Sequence, residues 1–160
     1  MIDWLLSYPV MKFIHIMSST FLWGTGIGTF FFMVMAHLTQ HTDAIRITAR
    51  HVVIADWIFT LPTLVIQPVS GILLMQATGF PFDSTWFLVV CGLYVIVTAC
   101  WIPVVFIQVT LRDITKPLRG NDALPAQYHA LFRRWVTLGF PAGISMAVIF
   151  VLMVFKPWLA

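Results

Sequence analysis

Residues 85–111 read TWFLVVCGLYVIVTACWIPVVFIQVTL, and no Asp, Glu, Lys, Arg or His interrupts them before Arg112. Crossing the hydrocarbon layer of a bilayer takes about 20 consecutive apolar residues at ~1.5 Å of rise each. An uncharged run of this length therefore reads as a membrane span, because in lipid a helix satisfies its own backbone hydrogen bonds. Working outward, three more runs qualify, at roughly 11–38, 52–77 and 136–157, beside the third at 85–111. The predicted fold is all-α, a four-helix transmembrane bundle forming a single integral membrane domain over 1–160. Composition agrees: 9% of residues are charged and 60% hydrophobic, where a soluble domain carries about a quarter charged. Mean hydropathy is +0.93.

The basic residues lie between the spans, which sets the expected orientation. Arg46 and Arg50 fall in the first loop, and Arg112, Lys116, Arg119, Arg133 and Arg134 fall in or beside the third. The opposite side holds Lys12 and Lys156. The positive-inside rule then places both basic loops in the cytoplasm and both termini in the periplasm, across a bacterial inner membrane. The net charge of +3 is thus a topology signal, and no nucleic acid is expected as a partner. The start, Met1-Ile-Asp-Trp4, lacks a basic n-region, so the first apolar run is expected to be retained. Trp4 and Tyr8 suit the headgroup level. Cys91 and Cys100 point to opposite faces of one helix and read as small buried hydrophobes. Pro62, Pro68, Pro103 and Pro141 fall within spans and imply kinks.

His15 lies about one turn inside the first span. At 100° per residue, Ser19, Leu22, Gly26, Met33 and His37 project within about 40° of it. A histidine beside small residues suits a flat group held by an axial imidazole, as in haem. The competing reading is a histidine hydrogen-bonded to a neighbouring helix. Met75 and Met153 fall near the same depth and are candidate sixth ligands, or ordinary core filler. The pairs Gly24 with Gly28 and Gly139 with Gly143 are expected to let helices approach closely.

The second span carries a polar stripe. Asp56, Thr60, Thr63, Gln67 and Ser70 project within about 40° of one line. Such a face must turn to the bundle interior or to enclosed water. It reads either as a proton or substrate path with Asp56 as the titrating group, or as interhelical hydrogen bonding alone. His37, His41, His51 and His129 map to the basic ends of spans or to adjoining loops, where some are candidates for a second haem or a metal.

These residues together resemble the CopD/HemJ-like group of small four-helix membrane proteins. The first span is similar in Lys12-Phe-Ile-His15-Ile, in Trp23-Gly24 and in His37. The second is similar in Phe59-Thr60-Leu-Pro62 and Gly71, and the fourth in Leu131-Phe-Arg133-Arg134, Pro141 and Lys156-Pro157-Trp158. HemJ proteins bind haem b and oxidise protoporphyrinogen. The resemblance implies His15 as the iron ligand. The third span departs from the pattern: Trp86-Phe-Leu-Val-Val-Cys91 lacks the histidine and basic residues that HemJ carries there.

The leading expectation is a haem b-binding protein with a redox role in the bilayer, a haem-dependent membrane oxidoreductase. His15 would hold iron, Ser19 and Gly26 would leave room for the ring, and Met75 or Met153 would complete six-coordination. Lys12 and Lys156 would meet the propionates, and Asp56 would move protons. Quinol, a porphyrinogen or a partner redox protein would be the other reactant. Two other expectations stand beside it: a proton- or metal-ion-handling transporter built on the stripe, and a non-catalytic membrane subunit. The lipid bilayer is the one partner that composition demands; a second copy of the chain is a further candidate.

Overall fold

A computed structural model describes residues 7–120 and 122–156. The described residues are all-α, without strands. Helix α1 runs Tyr8–Leu38, α2 Thr42–Thr78, α3 Thr85–Thr115 and α4 Ala126–Phe155, and all four are long and apolar enough to cross a membrane. Pro9 sits in the first turn of α1, where its missing N–H costs nothing. Gly79 ends α2 at φ 64°, the left-handed conformation that lets the chain turn back. The hydroxyl of Ser84 then caps α3 by accepting from the Phe87 N–H at 3.4 Å. Trp4, Pro157 and Trp158 lie outside the described residues.

Two helices start well before their apolar runs. In α2, Ile45, Ala49, Val52 and Val53 are buried from Thr42 onward while Arg50 and His51 stay exposed. In α4, Tyr128, Phe132 and Trp135 are buried while Arg133 and Arg134 point outward. Both leading segments are amphipathic, so their charged halves conceal them from a search for continuous apolarity. The expected starts at about 52 and 136 mark where each helix becomes apolar all round, not where it begins.

α3 and α4 pack along one another, and the second half of α2 packs on α1. The first half of α2 lies against both α1 and α3. Two apolar cores result. One, towards the end of the bundle that holds the termini, contains Leu22, Leu64, Met75, Trp86 and Ile149. The other, towards the basic loops, contains Met33, Ile45, Leu111, Tyr128 and Trp135. Phe32, Val95, Phe106 and Val154 are 64, 65, 70 and 73% exposed, and they belong to a wide apolar outer surface of the kind lipid covers.

The prolines of α2 explain two local features. Pro62 cannot donate to the carbonyl four residues back, and its ring crowds that carbonyl. The helix widens just before it: Asp56–Thr60 form a π turn, closed by the Leu61 N–H on the Asp56 carbonyl. The extra residue leaves Trp57, Ile58 and Phe59 side by side on the outer surface, while Asp56 and Thr60 both stay buried. Pro68 likewise frees the Leu64 carbonyl, and the Tyr94 hydroxyl of α3 donates to it. This one bond ties α3 to α2 where a helical bond is missing.

The glycine pairs behave differently from the expectation. A Cβ placed on Gly24, Gly28 or Gly143 would meet nothing within 4 Å, so none of the three marks a close helix contact. Gly139 does: its Cβ position is 3.0 Å from the Phe30 ring. The other tight position is Gly71, 3.3 Å from Cε1 of His15. The partner's bulk, not the small-residue spacing, decides which glycines are used. Cys91 and Cys100 are both free thiols, half-buried.

Candidate functional site

The helix α2 stripe is wholly buried: Asp56, Thr60, Thr63, Gln67 and Ser70 are 6, 4, 7, 9 and 3% exposed. Their spacing of four, three, four and three residues keeps them on one side of the helix; α1 covers that side, and Gln108 of α3 meets it at the Asp56 end. From Asp56 to Ser70, fourteen steps of helical rise, the stripe runs about 21 Å, roughly two-thirds of the hydrocarbon thickness.

At its far end the stripe joins α1. The Ser18 hydroxyl donates to Oε1 of Gln67 at 2.8 Å. Nδ1 of His15 lies 2.8 Å from Oγ of Ser70. The Ser70 hydroxyl donates its own proton to the Ile66 carbonyl at 2.6 Å, so towards His15 it acts as acceptor. This assigns the proton of the neutral imidazole to Nδ1 and leaves a lone pair on Nε2. Thr63 returns its proton to the helix, on the Phe59 carbonyl at 2.6 Å.

At the near end stands Asp56, inside the π turn. Its Oδ1 accepts from the Thr60 hydroxyl at 2.8 Å. Its Oδ2 is buried and has no hydrogen-bond partner among the described residues. Gln108 of α3 is the polar side chain facing it, and Oε1 of Gln108 is also buried without a partner. Gln108 and Trp135 line a void of about 10 Å³, and Nε1 of Trp135 is a third buried group without a partner. A space of this size suits a single water. Three of the five buried side-chain atoms without a partner among the described residues, Oδ2 of Asp56, Oε1 of Gln108 and Nε1 of Trp135, therefore belong to residues of α2, α3 and α4 in this part of the bundle; the other two are Nε of Arg46 and Nε1 of Trp101.

The expected haem set is only partly brought together. His15 has the chemistry of an axial ligand: its Nδ1–H is held by a second group and its Nε2 is available, as in most metal-bound histidines. Its ring, however, turns into α2 against Ser70 and Gly71. The packed face of α1 runs through Met11, Ser18 and Leu22. Ser19 and Gly26 turn away from it: Ser19 bonds the Ile16 carbonyl of its own helix, and Gly26 is exposed with nothing within 4 Å of its Cβ position. The flat bay expected beside His15 is therefore not enclosed between helices. Met75 is buried in the terminal-end core with Met153 packed against it. Lys156 lies over Trp86 of that core at 5.6 Å, and Lys12 lies over Tyr8 at 5.7 Å. Of the expected residues, His15 is the one that fits the group.

The remaining histidines divide. His37 and His129 converge, with ring centroids 5.8 Å apart. Nδ1 of His37 is 3.2 Å from the Tyr128 hydroxyl, and its ring stacks on Phe132 at 3.9 Å. His51 lies elsewhere, in a groove with Arg46 and Arg50, and His41 is exposed just before α2. Among the described residues no group of three or more His, Cys, Asp or Glu is placed to hold a metal.

Three participants escaped the sequence reading. Gln108 is the one side-chain amide in 85–111, a signal present in the sequence. Ser18 adjoins Ser19, and an ideal projection does not say which of the two faces a neighbour. Tyr94 carries no signal until the Leu64 carbonyl is known to be free.

The model of a family described as predicted integral membrane protein (DUF2269) matches residues 9–157, which takes in nearly all of the four helices. No curated protein and no solved structure matches the chain.

Proposed function

The chain belongs to the DUF2269 family of predicted integral membrane proteins, and from that premise we propose that it handles protons within the bilayer, along the buried stripe between Asp56 and His15. One observation carries this reading. Interhelical hydrogen bonding accounts for Ser18 with Gln67 and for His15 with Ser70; at Asp56 the Gln108 amide of α3 faces the carboxylate, yet its Oδ2 is buried with no hydrogen-bond partner at normal bonding geometry among the described residues. A carboxyl group inside a membrane helix is costly, and selection keeps one where it titrates or binds. A π turn at the same place agrees, since such turns collect at functional positions.

In this reading Oδ2 of Asp56 takes up and gives back the proton. Thr60 holds the other oxygen in place, and Gln108 offers an amide across the interface. At the other end Nε2 of His15 is the acceptor, its ring fixed by Ser70. The Thr60 and Thr63 hydroxyls between them donate to Asp56 and to the Phe59 carbonyl, and relay of a proton requires them to turn from these acceptors. The seven Arg and Lys at the loop end face the cytoplasm of a bacterial inner membrane by the positive-inside rule, so His15 lies on the periplasmic half and Asp56 nearer the cytoplasm. Infrared difference spectra of the purified protein, taken across a pH series, test the titration. A protonated-carboxyl band that grows as pH falls should be absent from Asp56→Asn. The same band in that variant would assign it to another residue and remove the basis of the proposal.

A second reading is favoured by the imidazole of His15. With Nδ1–H committed to Ser70, Nε2 is poised for iron, and the resemblance of the first span to HemJ supports haem b there. Haem would supply one-electron chemistry, with quinol, a porphyrinogen or a redox protein as the other reactant, while Asp56 moves the accompanying protons. A visible spectrum decides it. Protein produced with ample haem should show a Soret band that His15→Ala loses and His41→Ala keeps; colourless wild-type protein would leave proton handling alone.

A further inference from the structure

At the basic-loop end, α2 and the end of α3 enclose a groove of about 640 Å³ that neither reading above uses. Its charged wall is made by Arg46 and Arg50 of α2, Arg112 of α3, and Lys116 and Arg119 in the turn that follows. These five cations come from two segments far apart in the chain, so the fold itself assembles them. Two are balanced: Arg46 pairs with Asp43 and Arg112 with Asp113, each at 2.8 Å. Among the described residues, the side chains of Arg50, Lys116 and Arg119 form no salt bridge; Nη1 of Arg119 donates to the Lys116 and Leu118 carbonyls at 2.8 Å, and the Asp122 carboxylate accepts from the Arg119 backbone N–H at 2.8 Å. Nε of Arg46 is also buried without a partner.

Hydrogen bonds tie the two segments together. Oδ2 of Asp43 accepts from the Gly120 N–H at 2.9 Å, while its Oδ1 takes Arg46. The Thr42 hydroxyl donates to the Asp122 carbonyl at 2.7 Å. Gly120 itself needs φ 55°, which glycine adopts freely. The turn after α3 is thereby fixed to the first turn of α2, and it presents Lys116 and Arg119 opposite Arg50. Like charges brought together and left unneutralised are destabilising unless an anion joins them.

The groove is also apolar at its other end. It continues down α2 past Val53 to Ile54, about 12 Å below Arg46 by helical rise. Ile47 and Ile54 are 48 and 41% exposed, on the surface that faces lipid. We propose that this groove binds the phosphate headgroup of an anionic phospholipid, with the acyl chains passing Val53 and Ile54. Basic pockets between membrane helices recognise such headgroups through these charges. A soluble phosphate would satisfy the cations but would leave the apolar end uncovered.

Thermal unfolding of the full chain in neutral detergent tests this. Phosphatidylglycerol should raise Tm in a saturable, concentration-dependent way, as a ligand of the folded state does. Phosphatidylcholine and inorganic phosphate, at matched concentration and ionic strength, should not. The double variant Arg50→Gln with Lys116→Gln changes two exposed side chains without ion pairs, so its Tm without lipid should equal that of wild type. It should need at least tenfold more phosphatidylglycerol for the same shift. Ile54→Ser provides a second check, weakening the lipid effect while leaving the cations intact. Equal stabilisation by phosphatidylcholine, an undiminished shift in the double variant, or a full shift with inorganic phosphate would each overturn the proposal.

Discussion

At the scale of single residues, Asp56→Asn separates function from structure. The amide keeps the volume of the carboxyl, so unfolding in detergent should change by less than about 1 kcal/mol, while titration at that position is lost. Tyr94→Phe makes the opposite kind of change. It leaves the Leu64 carbonyl, already without its Pro68 partner, with no donor, and should cost about 0.6–1.7 kcal/mol, measured by denaturant titration. No loss there would mean that another group reaches that carbonyl. Gly71→Ala would set a methyl 3.3 Å from the His15 ring. The imidazole should shift by a few tenths of an ångström, seen as a displaced His15 resonance in nuclear magnetic resonance. Much of this was legible beforehand. The stripe from Asp56 to Ser70 needs only helical spacing to be found, and its burial follows from the cost of polar groups in lipid. The partners were not legible. Ser18 and Ser19 differ by 100° of rotation, and only the position of α2 selects Ser18.

The elements show the same division. Four spans follow from runs of apolar residues, and their number needs no tertiary knowledge. The starts of α2 and α4 were hidden because an amphipathic turn beside a loop looks polar on average. Pro62 announced a distortion, but whether a helix relieves a proline by kinking or by widening into a π turn depends on what must stay buried, here Asp56 and Thr60. A π turn amounts to one residue inserted into an α-helix. Deleting Ile58, which is 58% exposed, should therefore regularise α2 while keeping both halves facing as they do now, and protein should still be recovered in folded form. Deleting Val65, in regular helix, would rotate everything beyond it by about 100° and turn Gln67 and Ser70 towards lipid. Size-exclusion profiles and thermal unfolding compare the two; equal damage would mean that the widened turn is not a separable insertion.

For the whole molecule, orientation rests on which side carries the Arg and Lys. In a background lacking Cys91 and Cys100, Arg119→Cys should react only from the cytoplasmic side and Phe80→Cys only from the periplasmic side. Reversed labelling would invert the assignment of His15 and Asp56 to the two halves of the bilayer. The charge count was plain in the sequence, but the groove that Arg46, Arg50, Arg112, Lys116 and Arg119 build was not, because it exists only once α2 and α3 are packed. The proposed proton path is likewise a property of the assembled bundle, since α1, α2 and α3 each contribute residues to it. The direct test is proton flux into vesicles reconstituted with the purified protein, read by an enclosed pH-sensitive dye under an imposed membrane potential. The account predicts flux above protein-free vesicles, reduced at least tenfold by Asp56→Asn and by His15→Ala with folding retained. Flux equal in wild type and Asp56→Asn, or equal to that of empty vesicles, would contradict it.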